Sequence, residues 1–191
     1  VIAVTSILIM LPWWVRNYRV TGKFVPTTLQ VGPSLYDGLH PGATGSSDEG
    51  MAFVERFWAE QTTLDNAALQ AGLKLESTYE WRLNQIMQNA AIAWVNENPA
   101  EALRLGGVKL YKTWRPLPVA QELGNPLIRY GEGISYSILM LAGGFGLWKN
   151  RYNPSLWLIA LPIIYFSLIH MVFIGSVRYR QPAVLAFSVV A

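Results

Sequence analysis

The sequence predicts an α-helical polytopic membrane protein with a large, mainly helical region outside the membrane. Apolar residues make up 52% of the chain and charged residues only 14%, whereas soluble domains carry about 25% charged residues. The charges are also unevenly placed. Every Asp and Glu lies between Trp13 and Glu132, and only four basic residues lie outside that interval. Separate polar and apolar territories are typical of an integral membrane protein with one large extramembrane region.

Residues 1–14 are predicted to form the end of a transmembrane helix. Their sequence is VIAVTSILIMLPWW, and its tryptophans suit the membrane interface. A signal peptide is not predicted here, because residues 1–14 have no basic leader and no small-residue cleavage site. The chain begins inside this apolar run and stops inside another, AVLAFSVVA. Each run is shorter than the roughly 20 residues that a spanning helix needs, so we expect a fragment of a longer protein.

Residues 15–125 are predicted to be an extracytoplasmic region with amphipathic helices. Its first part is rich in Gly, Pro and Thr and predicts an ordered loop with room for a small strand pair. Ser46 or Ser47 is expected to cap a helix opened by Asp48. The pair Ser77 and Glu80 has the S-x-x-E spacing of a capping box, which opens the next helix.

A third amphipathic helix is predicted from the sequence NPAE. Asn98 is the expected N-cap, and Pro99 suits the first helical position. The sequence WRPLP should end this helix after Trp114. We therefore expect three amphipathic helices before the chain returns to the membrane.

Three transmembrane helices are predicted to follow, over residues 126–148, 154–174 and 182–191, the last of them truncated. Residues 155–174 contain no charged side chain and are long enough to span a bilayer. Asn153 and Pro154 open that helix, and Pro182 opens the last one. The connecting turns are short, so consecutive helices should run antiparallel.

The turn GSVRYRQ places two arginines between apolar runs. Gln181 precedes a proline and is therefore biased towards an extended backbone. In an extended segment, Arg178 and Arg180 would point to one side and Tyr179 to the other. Two planar guanidinium groups on one side favour binding of phosphate oxygens. Anchoring of the helix ends among lipid headgroups is an equally open interpretation.

Other polar residues are weaker candidates. His170 lies inside a predicted span, where ionisable residues are functional candidates, although a neutral packing histidine is the simpler interpretation. Arg16 and Asn17 follow the first helix and could equally be interface anchors. Asp37 and His40 could coordinate a cation, but we favour a solvated loop there.

Several classes of site are disfavoured by composition. The absence of cysteine excludes disulfides and thiolate metal sites. No lysine-rich tract indicates a nucleic-acid partner, no set of residues predicts a metal site, and no cofactor is expected within the chain. Membrane lipids are the partners that the apolar runs require.

Three stretches occur in a familiar order: PWWVRNYRVTGKFVP, then NPAEALRLGGVKLYKTW, then HMVFIGSVRYRQPAVLAF. Together they resemble the C-terminal part of bacterial family 39 glycosyltransferases. These are GT-C fold enzymes related to protein O-mannosyltransferases and to the aminoarabinose transferase of lipid A. The resemblance implies a GT-C type multi-pass protein of the bacterial inner membrane, with its large loop extracytoplasmic.

The resemblance also implies chemistry. A polyprenyl-phosphate sugar donor would be bound at the extracytoplasmic face, and the sugar would pass to a lipid or protein acceptor. Arg178 and Arg180 would contact the lipid phosphate, with Arg16 and Asn17 as lesser candidates for the same cavity. His170 and Tyr179 would be accessory, and residues 36–45 would belong to a loop that closes over a substrate. The catalytic acid is expected upstream of Val1, so no catalytic residue is assigned.

Two alternatives and one conflict accompany this hypothesis. A transporter or flippase of lipid-linked precursors should show internal repeats, and none is visible. A non-catalytic membrane subunit would use the amphipathic helices to bind a partner. Charge counting by the positive-inside rule favours the reverse orientation, because the turn at Lys149 and Arg151 holds fewer basic residues than the opposite side. We follow the orientation that the resemblance implies.

Overall fold

The structure is a computed structural model that describes residues 2–47, 53–117 and 126–190. Within these ranges the regular elements are helices, and no strand occurs. The helical class is therefore confirmed. The chain divides into two compact units, one of residues 1–42 and 48–98 and the other of residues 43–47 and 99–191.

The first unit begins with helix α1, Ile2–Thr21, which continues past the predicted end at Trp14. The segment after α1 folds back along it. The indole N–H of Trp13 donates to the carbonyl of Thr27 (2.9 Å), and that of Trp14 donates to the carbonyl of Pro26 (2.8 Å). The two tryptophans at the predicted interface are thus also the residues that hold this segment.

Helix α2, Val31–Gly38, lies where the sequence predicted a loop with a strand pair, so that prediction was wrong. The reason is packing against α4, Tyr79–Glu97. The N–H of Gly32 donates to Oδ1 of Asn84 (2.7 Å). A Cβ at Gly32 would lie 2.0 Å from the Asn84 carbonyl oxygen. A long-range contact that only glycine permits decides the local structure here.

Helix α3 spans Phe53–Gln70, and its predicted start at Asp48 lies outside the described residues. Helix α4 begins one residue later than its predicted capping box. Thr78 is the N-cap, and its hydroxyl accepts from the N–H of Trp81 (3.4 Å). Ser77 instead has a positive φ of 59° and donates its hydroxyl to the carbonyl of Thr21. Ser77 therefore attaches the start of α4 to the end of α1.

A bidentate ion pair joins α3 to α4. Nη2 of Arg82 lies 2.6 Å from Oδ2 of Asp65, and Nε donates to Oδ1 at 2.9 Å. Hydrogen bonding to Arg82 lowers the pKa of the Asp65 carboxyl. Both side chains of this pair are only 14% exposed, so water screens the pair less than it screens an ion pair at the surface.

The second unit contains α5, Pro99–Trp114, α6, Pro126–Lys149, α7, Pro154–Val172, a 3₁₀ helix, Val177–Arg180, and α8, Gln181–Val190. These bounds agree closely with the predicted starts at Pro99, 126, 154 and 182. Asn153 caps α7 as predicted, since its Oδ1 accepts from the N–H of Ser155 (3.1 Å). Asn98 was predicted to cap the start of α5. Its side-chain amide instead donates to the Trp94 carbonyl at the end of α4 (3.0 Å).

Helix α7 packs against α5, and α8 packs against α6 and α7. Small residues make these contacts close. A Cβ at Gly143 would lie 2.5 Å from the ring of Phe187, and one at Gly175 would lie 2.4 Å from the carbonyl oxygen of Lys109. The N–H of Gly175 donates to the carbonyl of Gly45 (2.9 Å). Residues 43–47 are thereby attached to the helices of the second unit.

Helix α7 is the one helix in the described part of the chain that is long and apolar enough to cross a membrane. Its outer face carries exposed large apolar side chains, among them Leu158, Leu161, Ile164 and Leu168. An exposed apolar surface of this extent is uncommon on a soluble monomer. Membrane insertion would remove this surface from water.

Candidate functional site

Arg178 and Arg180 lie on the 3₁₀ helix between α7 and α8. The predicted extended backbone was therefore wrong. Ser176 caps the 3₁₀ helix by accepting from the N–H of Arg178 (3.4 Å), and Gln181 takes a helical conformation despite preceding Pro182. With three residues per turn, side chains two positions apart diverge, so the two arginines do not form a one-sided pair.

Arg180 is buried, with 6% of its surface exposed. Its Nη1 donates to the carbonyl of Arg115 and lies 3.5 Å from that of Thr113. Its Cζ lies 3.4 Å from the centroid of the Tyr136 ring. Arg180 thus connects the 3₁₀ helix to the end of α5 and to the middle of α6.

Among the described residues, Arg180 forms no ion pair with a carboxylate. Burial lowers the pKa of Arg180, whereas Tyr136 raises it; Arg115 and Glu132 have smaller effects, in the lowering and raising direction respectively. Arginine keeps its proton in proteins, so the group is a cation at neutral pH. Carbonyl oxygens and the face of Tyr136 therefore stabilise a buried cation.

Further polar atoms near this cation have no hydrogen-bond partner among the described residues. They are the Nε atom of Arg180 itself, the Nε atom of Arg115 and the hydroxyl of Tyr136. Buried hydrogen-bond donors usually have a partner. A group of donors without one could donate hydrogen bonds to a bound anion. We therefore treat Arg180, Tyr136 and Arg115 as the centre of the candidate site.

Arg178 differs from Arg180 because its side chain is exposed. It forms no ion pair with any described residue. A ligand approaching the 3₁₀ helix from solvent or from a membrane surface can reach this guanidinium directly. Of the two predicted phosphate contacts, Arg178 is the accessible one.

His170 and Tyr179 are brought together beside the arginines. Their rings stack with centroids 4.5 Å apart and an interplanar angle of 11°. His170 is 8% exposed, and its Nδ1 lies 3.0 Å from the carbonyl of Ile174, to which it donates. The stack holds the 3₁₀ helix against the end of α7, and so helps to position the two arginines of that helix.

Arg16 and Asn17 belong to the first unit. Asn17 is buried, and its Nδ2 donates to the carbonyl of Val25 (3.0 Å). Arg16 is exposed, with its Cζ 5.6 Å from the centroid of the Trp13 ring and Nη1 3.4 Å from Oδ1 of Asn17. These contacts hold α1 against the segment that follows it.

Residues 36–45 are divided between the two units. Asp37 lies in α2 with 1% of its surface exposed, so the interpretation as a solvated loop was wrong. The ring of His40 stacks on Tyr36, and its Nδ1 donates to the carbonyl of Pro41 (2.9 Å). Over the described ranges, no group of three or more His, Asp or Glu side chains is placed to hold a metal ion.

An open apolar groove of about 530 Å³ runs along α7. Its lining includes Leu158, Leu161, Pro162, Tyr165 and Phe166. Such a surface complements a hydrocarbon chain rather than a polar ligand. The groove belongs to the same helix that leads into the 3₁₀ helix with the arginines.

Tyr136 and Arg115 were missed by the sequence analysis. Tyr136 sits within an apolar run, where an aromatic residue is unremarkable, and Arg115 follows a helix end, where basic residues are common. Only the tertiary structure brings them to Arg180. Comparisons with known protein families, with curated proteins and with solved structures found no match to this chain.

Proposed function

We propose that this chain is part of a membrane glycosyltransferase of the GT-C type. It transfers a sugar from a polyprenyl-phosphate-linked donor to a lipid or protein acceptor at the extracytoplasmic face of the bacterial inner membrane. The protein is multi-pass in this proposal, with α1, α6 and α8 joining α7 in the membrane. The large helical region then lies outside it.

The observation that carries the proposal is the placement of Arg178 and Arg180 directly after α7. If α7 spans the membrane, it ends at the level of the lipid headgroups, and this would bring Arg178 to a lipid phosphate. Arg180, held by Tyr136 and the Arg115 carbonyl, keeps that 3₁₀ helix in place and adds a fixed positive charge beneath it. Arginine suits this role because its planar fork matches phosphate oxygens.

The apolar groove of α7 supports the same assignment. A polyprenyl chain needs a hydrocarbon surface next to its phosphate, and the groove at Leu158, Leu161 and Pro162 offers one along the helix. The donor would then lie with its chain against α7 and its phosphate towards Arg178.

The reaction is a substitution at the anomeric carbon. The bond from that carbon to the lipid phosphate oxygen breaks, a bond to the acceptor oxygen forms, and the proton of the acceptor hydroxyl passes to the departing phosphate, directly or through water. Negative charge grows on the departing phosphate, so a guanidinium beside it lowers the barrier. This is the step for which Arg178 is proposed.

The test is sugar transfer by the whole enzyme carrying Arg178→Gln, with a polyprenyl-phosphate sugar as donor. A charge-assisted hydrogen bond contributes about 1.5–3 kcal/mol, so we expect transfer to fall about 10- to 100-fold. Arg178→Lys should retain part of the activity because it keeps the charge and loses the fork.

Lys74→Gln is the matched control, because Lys74 is also an exposed cation and is proposed to touch no substrate. Arg180→Gln is assayed in parallel, with its thermal midpoint measured to separate misfolding from lost binding. Normal transfer by Arg178→Gln and by a folded Arg180→Gln would overturn the phosphate role.

A further inference from the structure

The turn between α6 and α7 forms a rigid cluster of aromatic and basic residues, which we call the 148–157 turn. The Cζ of Arg151 lies 5.4 Å from the ring centroid of Trp148 and 4.5 Å from that of Tyr152. Its Nη1 donates to the Trp148 carbonyl and its Nη2 to the Tyr152 hydroxyl, both at 3.1 Å. The indole N–H of Trp157 donates to the carbonyl of Arg151 (2.9 Å). The guanidinium is therefore held in one place before any ligand arrives.

The rings of this cluster are nevertheless largely exposed. The exposed fractions of Trp148, Tyr152 and Trp157 are 63%, 83% and 50%. Lys149 and Arg151 are exposed as well, and residues 148–157 contain no Asp or Glu. These exposed rings and cations are held in fixed positions, so they can bind a partner that is partly apolar and negatively charged.

The position of the turn points to the contacting partner. Helix α7, which is long and apolar enough to span a membrane, begins within this segment, at Pro154. Trp and Tyr are favoured at the level of lipid headgroups because one end of the ring is apolar and the other polar. Lys and Arg at that level attract anionic lipids. The rings and the charges thus require the same environment.

We infer that the 148–157 turn binds the headgroups of acidic phospholipids. The lipid phosphate pairs with the guanidinium N–H groups of Arg151 that point away from Trp148 and Tyr152, and Lys149 supplies a second charge. The rings of Trp148 and Trp157 lie at the junction of headgroup and acyl chain.

This site is separate from the proposed donor site. The 19 residues of α7 extend over about 28 Å at 1.5 Å per residue, close to the thickness of the hydrocarbon core. The 148–157 turn and Arg178 therefore face opposite membrane surfaces. The inference rests on the membrane placement of α7 in the proposed function and does not depend on sugar transfer.

The experiment uses the whole protein reconstituted into vesicles of equimolar phosphatidylglycerol and phosphatidylcholine, in which one lipid or the other carries brominated acyl chains. Quenching that is lost in a Trp148→Phe/Trp157→Phe variant reports the lipids next to these two rings. We expect brominated phosphatidylglycerol to quench them more strongly than brominated phosphatidylcholine. Lys149→Gln and Arg151→Gln should each lower this preference about two- to fivefold.

Lys74→Gln serves as the control for loss of an exposed charge elsewhere and should keep the preference. If Arg151→Gln fails to insert, Lys149→Gln decides alone, because the structure gives its side chain no part in holding the turn. Equal quenching by the two lipids, or an unchanged preference in the variants, overturns the inference. Loss of lipid preference with normal sugar transfer, or the reverse, separates this inference from the proposed function.

Discussion

The guanidinium of Arg180 lies face-on to the ring of Tyr136, with 3.4 Å between Cζ and the ring centroid. The two residues come from different elements of the second unit, the 3₁₀ helix and α6. Both are at least nine-tenths buried. The contact is thus a desolvated cation–π interaction, a class that contributes about 2 kcal/mol, and it fixes the segment that carries Arg178.

Tyr136→Phe should leave stability unchanged or raise it slightly. The ring face that contacts Arg180 is retained, and the hydroxyl that is removed is buried without a partner among the described residues. Tyr136→Ala should lose about 3–5 kcal/mol, because ring burial and the cation contact both disappear. The measurement is the thermal midpoint of the detergent-solubilised protein. Equal losses in the two variants would show that the hydroxyl, and not the ring face, stabilises the contact.

Gly143→Ala should destabilise the packing of α6 against α8. The added methyl group would lie 2.5 Å from the Phe187 ring and 2.9 Å from the Phe187 carbonyl oxygen, so backbone has to shift at a cost of about 1–3 kcal/mol. Gly144→Ala is the matched control, since its Cβ meets nothing within 4 Å. That variant should gain up to about 1 kcal/mol from helix propensity. The same thermal midpoints test this pair, and a stable Gly143→Ala would contradict the close contact.

The first unit should lose stability in acid through Asp65. Hydrogen bonds from Arg82 lower the pKa of Asp65 in the folded state, so the unfolded chain binds this proton first as pH falls. The stabilisation is present above the unfolded pKa of about 4 and is lost as pH falls through the lower folded pKa. Asp65→Asn should be less stable at neutral pH and should show a smaller decline in acid.

The readout for Asp65 is the thermal midpoint measured from neutral pH downwards. Glu60→Gln removes an exposed carboxylate of the same helix and should keep the acid dependence of the parent chain. An identical pH profile for Asp65→Asn and the parent would rule out this ion pair as a source of acid sensitivity.

The orientation of the proposed membrane helices is testable because the chain contains no cysteine. Ser47→Cys and Asn150→Cys each introduce one thiol at an exposed position on opposite sides of the proposed topology. In intact cells an impermeant maleimide should label the cysteine at position 47 and not the one at 150. Labelling at 150 alone would reverse the topology, in agreement with the positive-inside count.

Helix starts were predicted well where a local rule fixes them. Pro99, and Asn153 before Pro154, mark helix starts because proline suits the first turn and an asparagine side chain caps it. The capping box at Ser77 was displaced by one residue because Ser77 takes a positive φ and binds the carbonyl of Thr21 instead. A distant partner outcompeted the local cap.

By itself the sequence determined the helical class, the starts of α6, α7 and α8 and the presence of arginines between α7 and α8. Those features depend on composition and on residues close together in the chain. The tertiary structure alone decided that α2 is a helix, because the Gly32–Asn84 contact joins distant residues. It also decided that Arg180 is buried under Tyr136 while Arg178 stays exposed, since no local rule specifies which distant ring or carbonyl a guanidinium will meet.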